Sequence, residues 1–155
     1  MKNQIKQSLS IAIVSAALSG YAASFSYYSG SIRTNENFRY AKFRARIQGS
    51  GQKGTVTSLF TFWRGGGGYG GWTRAGWEEI DVELVPSVQD NPFFTNIIYA
   101  NQQMDGYYHP NFDPGNDWHE YEIVWKPDYI AWSLDGEEIR RETSSSYSVR
   151  DIDKW

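Results

Sequence analysis

One property constrains the fold of this chain above all others. Beyond its first two dozen residues, apolar side chains recur with a period of two, and nowhere with the sustained 3.6-residue period of a helix. The clearest case is Trp77–Leu84, with sequence WEEIDVEL. Successive side chains on a strand point to opposite faces. Glu78, Ile80, Val82 and Leu84 therefore share one face, and three of those four are apolar. Trp77, Glu79, Asp81 and Glu83 share the other. Like charges in a row repel, and a strand with a purely structural role has no use for them. A row of acids backed by a core is a candidate active site.

The same alternation organises the remaining segments. Over 38–47, Ala41, Phe43, Ala45 and Ile47 form a core face opposite Tyr40, Lys42, Arg44 and Arg46. Over 56–63, Ser58, Phe60 and Phe62 share a face with Val56, while Leu59, Thr61 and Trp63 share the other. Aromatic rings on both faces imply that one face meets something other than solvent. Residues 94–100 form a strand with Ile97 and Tyr99 on one face, and 101–116 reads as a long polar loop. In 118–125 the pattern sends His119, Tyr121, Ile123 and Trp125 inward. Strands over 129–134 and 137–141 flank Asp135-Gly136, a strong hairpin signal. The glycine-rich stretch 65–71 lacks the G-K-[S/T] ending of a phosphate loop and reads as a loop entering the acidic strand. The fold class is all-β, an antiparallel β-sandwich in one domain.

Composition narrows the function. The seven Trp and eleven Tyr supply flat amphipathic faces suited to ligands. A net charge of −3 argues against nucleic acid, which requires a basic face. With no cysteine, neither a disulfide framework nor thiolate chemistry is available. The N-terminus has the layout of a secretory leader: Lys2 and Lys6, an apolar run over 11–18, then Ala22 and Ala23. Residues 1–23 are expected to be a signal peptide and 24–155 the working domain, secreted to the exterior or the periplasm. The apolar run is too short to span a bilayer, so no membrane partner is expected.

Glu79 and Glu83 stand i and i+4 on the strand, with Cα atoms about 13 Å apart at about 3.3 Å per residue. Side chains leaning together could reach the carboxyl separation of about 5–5.5 Å used by retaining glycosidases. Asp81 between them can hydrogen-bond a neighbour and spread the pKa values of the set. Calcium sites draw carboxylates from a loop with backbone carbonyls, not from one straight strand. No histidine lies in the cluster, which argues against zinc.

At these residues the chain resembles glycoside hydrolase family 16, the family of licheninases, laminarinases and xyloglucan endotransglycosylases. Glu79-Ile80-Asp81-Val82-Glu83 matches its E-[I/L]-D-x-E signature. Residues 38–47, the aromatic strand 58–62, the run Trp118-His119-Glu120-Tyr121, and Trp125-x-Pro127 with Ile130-x-Trp132 and Asp135-Gly136 resemble its flanking strands. The resemblance implies a concanavalin-like jelly roll with a substrate cleft on the concave sheet. It implies Glu79 as nucleophile, Glu83 as general acid/base and Asp81 as the assisting carboxylate. It also implies sugar contacts from Arg46, Phe60, Phe62, Trp77 and Tyr99. Arg44 departs from the family pattern, where many members carry Glu. The unbulged motif resembles that of licheninases and xyloglucan transferases, which points to endo-hydrolysis of mixed β-1,3-1,4-glucan. A transglycosylase, a non-catalytic glucan-binding sandwich and an inactive fragment are the alternatives. The expected partner is a polysaccharide, acted on by a monomer without a cofactor. A structural calcium is a family feature whose site, built near both termini, is not locatable in this sequence. Family domains are longer than 24–155, so that stretch is expected to be a partial catalytic domain.

Overall fold

A computed structural model describes residues 29–64, 77–86, 93–99 and 102–143. They form eight strands: β1 (Lys42–Ile47), β2 (Thr57–Arg64), β3 (Trp77–Leu84), β4 (Phe93–Tyr99), β5 (Gln102–Tyr108), β6 (His119–Trp125), β7 (Tyr129–Leu134) and β8 (Glu137–Thr143). One antiparallel sheet has the order β2-β3-β4-β5, and the other β1-β6-β7-β8. Among the described residues there is no helix, and none that could cross a membrane. The signal-peptide expectation and the glycine-rich 65–71 lie outside the described residues.

The inward faces of the two sheets meet in one core. Ile80, Val82, Leu84, Phe93 and Ile97 come from the first sheet; Ala45, Ile47, Tyr121, Ile123, Trp125, Ile130, Trp132 and Leu134 come from the second. Burying this set removes apolar surface from water at roughly 25 cal/mol per Å², the dominant favourable contribution to folding. Two side chains also tie the sheets together. The Trp132 indole N–H donates to the carbonyl of Asp81 at 2.9 Å. Arg140 donates from β8 to the carbonyl and hydroxyl of Thr95 on β4, at 2.7 and 2.8 Å. Its guanidinium passes so close to Gly106 that a Cβ there would sit 2.5 Å from Nη1.

Two element expectations are corrected. The strand expected over 38–47 starts only at Lys42, because Tyr40 adopts φ 58°, a left-handed conformation that interrupts an extended run. The loop expected over 101–116 contains β5. Asp and Gly are poor strand formers, but β5 is an edge strand that needs only Met104 and Tyr108 against the core. The Asp135-Gly136 hairpin forms as expected, with φ 50° and 86° matching a type I′ turn.

Candidate active site

The site follows from strand register. Residues paired across antiparallel strands share a face, so three rows cross the outward face of the β2–β5 sheet. They are Phe62–Glu79–Ile98–Gln103, Phe60–Asp81–Asn96–Asp105, and Ser58–Glu83–Phe94–Tyr107. The intervening residues of β3 fill the core. Glu79, Asp81 and Glu83 are thus presented on one face by a strand whose back is locked into the sandwich.

Within that face Asp81 is the most deeply set, at 1% exposure. Burial pushes its carboxyl up to about 8, reinforced by the charges of Glu83 and Glu79 and opposed by hydrogen bonds from Asn96. Asn96 Nδ2 donates to Asp81 Oδ1 at 2.9 Å and to Glu83 Oε2 at 3.3 Å, so one amide links two of the three acids. Burial also raises Glu83; the Asn96 bond opposes this and Asp105 adds to it. The bond from Trp132 to the Asp81 carbonyl fixes the backbone under the central acid. At neutral pH this combination keeps a proton within the acid set, as acid/base chemistry requires.

Phe60 and Phe62 lie where the sequence places them, beside Asp81 and Glu79, with 44% and 49% of their surface exposed. Trp77 opens β3 opposite Arg64, and its side chain lies outside the described residues. Tyr99 is a correction. It pairs with Glu78, which places it on the core-facing side with Ile97, away from the acids. Arg46 is also a correction. It pairs with Glu120 on β1–β6, on the exposed outer face of the opposite sheet, where Arg44 binds Glu122 at 2.6 Å. Alternation put Arg46 on the correct side of its own strand, but that strand belongs to the sheet without the acids.

Sequence reading missed Asn96, Phe94 and Asp105. Asn96 carried a signal, a carboxamide in the middle of an apolar strand, but its partner appears only once β4 is registered against β3. Glu78 is the one acid on the core-facing side of β3. It is buried, its Oε1 has no hydrogen-bond partner, and burial raises its carboxyl to about 7. Among the described residues no cluster of three or more His, Asp or Glu side chains is arranged to hold a metal ion.

The chain is similar to known proteins in sequence and in fold. A β-glucanase of Fibrobacter succinogenes is 31% identical over 153 residues, covering 95% of this chain and 42% of that protein. A β-glucanase of Brevibacillus brevis is 31% identical over 123 residues, covering 77% and 44%. The chain therefore spans less than half the length of these relatives. A solved β-1,3-1,4-glucanase (lichenase) from a mouse hindgut metagenome superposes with a TM-score of 0.54 at 30% identity, covering 70% of this chain and 48% of that one. The likeness carries over the jelly-roll form of the sandwich. The family model for glycosyl hydrolases family 16 matches residues 1–152, and the chain, with its row of acids on a sandwich strand, belongs to that family.

Proposed function

We propose that this chain carries the catalytic face of a retaining endo-β-glucanase that cleaves mixed-linkage β-1,3-1,4-glucan. The supporting observation is the placement of Glu79, Asp81 and Glu83 along one strand face, with Asn96 joining the last two. In this reading Glu79 attacks the anomeric carbon while Glu83 gives its proton to the departing oxygen. A covalent glycosyl-enzyme forms. Glu83, now ionised, takes a proton from water, which displaces Glu79 and restores the original anomeric configuration. Asp81, raised to about 8 by burial, keeps its proton at neutral pH and so adds no second charge beside the nucleophile. Phe60 and Phe62 offer exposed rings to the apolar faces of the sugars. None of these steps consumes a cofactor. The leader-like residues 1–23 support action outside the cytoplasm.

Wild type and Glu79→Ala, assayed side by side on barley β-glucan, test the assignment. Reducing sugar is expected from wild type, with a loss of at least about 10³-fold in the variant, the scale seen when a covalent nucleophile is removed. Proton NMR of the first-formed product is expected to show the β-anomer. Release that survives the substitution, or an α-anomer formed first, contradicts the reading. Product longer than the donor identifies transfer to sugar in place of water.

A further inference from the structure

The row through Glu83 continues into Phe94 and Tyr107. Their rings meet edge to face, with centroids 5.0 Å apart and planes at 70°. Tyr107 is 59% exposed and Phe94 half-buried. Both line an open groove of about 340 Å³ together with Glu83, Asn96, Gln103 and Asp105. The fold does not call for rings here, because this face points away from the core and β5 is an edge strand. Keeping this much aromatic surface in water is unfavourable, and a sugar ring stacked on it would bury that surface.

The pair also has a direction. On the β2 side, the row through Glu83 ends at Ser58, which offers no ring. The β2 rings, Phe60 and Phe62, lie in the rows of Asp81 and Glu79 instead. A general acid must stand beside the oxygen that departs, so the aromatic surface reached from Glu83 lies on β4 and β5. We propose that Phe94 and Tyr107 form the stacking platform for the first sugar on the leaving-group side of the scissile bond. Asp105 and Gln103, bonded to each other at 2.6 Å, face the same groove as acceptor and donor for its hydroxyls. The polysaccharide then lies across the strands, its retained part over β2 and its departing part over β4 and β5. This inference rests on the glucanase reading above and adds orientation and a binding site to it.

The test compares two substrates with the same retained sugars. One is a mixed-linkage oligosaccharide, whose leaving group is a sugar. The other is the corresponding β-glycosyl fluoride, which has no sugar on that side. Tyr107→Ala is expected to lower kcat/KM on the oligosaccharide, relative to the fluoride, by about fivefold to tenfold, the scale of one aromatic contact. Tyr107→Phe keeps the ring and is expected to keep the wild-type ratio. An equal fall on both substrates, or no fall on either, overturns the platform while leaving the glucanase reading intact. Wild type inactive on both substrates overturns the glucanase reading and the platform with it.

Discussion

Asn96 donates to two of the three acids on the outward face of β3. Its two hydrogen bonds favour the ionised forms of Asp81 and Glu83, and so hold both pKa values below where burial alone would set them. In Asn96→Ala both carboxyls rise further. Glu83 then keeps its proton to higher pH, and the alkaline limb of the kcat/KM profile is expected to move upward. Loss of the bonds should also reduce kcat/KM about tenfold, the equivalent of about 1.4 kcal/mol. A pH–rate series on β-glucan checks both, and a downward shift of the alkaline limb contradicts this role. The three acids were legible in the sequence because alternation alone sorts them onto one face. Asn96 and Phe94 were not, since their place beside the acids depends on how β4 registers with β3. Tyr99 and Arg46 were misplaced for related reasons. Tyr99 shares a strand with Asn96 but not its face, and Arg46 belongs to a strand of the other sheet.

Among the elements, β3 is held from behind and β5 from the side. The Trp132 indole reaches across the core to the backbone of Asp81, and the side chain is fully buried. Trp132→Phe keeps a ring but removes the indole donor to the Asp81 carbonyl. It is expected to cost about 1–3 kcal/mol, measured as a lower urea midpoint with unchanged slope. On β5, Gly106 makes room for the Arg140 guanidinium, which bonds Thr95 and the Met104 carbonyl and lies 4.7 Å over the Trp132 ring. These contacts leave the arginine little freedom to retreat. Gly106→Ala should therefore destabilise by about 1–3 kcal/mol, and Arg140→Ala in the same background should add less than it does alone. Additive losses in that double-mutant cycle contradict the close approach. β5 itself was hidden in the sequence because an edge strand needs few apolar residues. The hairpin after β7 was legible because Asp-Gly states its own backbone conformation.

For the whole molecule, burying Glu78 and Asp81 sets the response to pH. Their folded-state pKa values, about 7 and about 8, lie above the ordinary 4.5 and 3.8. The stability associated with each is fully present below its ordinary value and is lost as pH rises through the folded one. Urea midpoints are therefore expected to fall between about pH 4 and pH 8. Glu78→Gln removes one such buried charge, so it should raise the midpoint at pH 8 and leave it nearly unchanged at pH 4. A midpoint that climbs steadily over that range contradicts the account. The two-sheet architecture was legible as a class from alternation, whereas the partition of strands between sheets was not. Strand β1 joins β6, far along the chain, and no local pattern announces that pairing.

The central claim is that β3 presents a nucleophile and an acid/base on one face, in that order. A 2-deoxy-2-fluoro glucoside with a good leaving group slows breakdown of the covalent intermediate and so labels the attacking residue. After incubation, proteolysis and mass spectrometry, the account predicts one fluorosugar adduct, on Glu79. An adduct on Glu83 or on any other residue contradicts it.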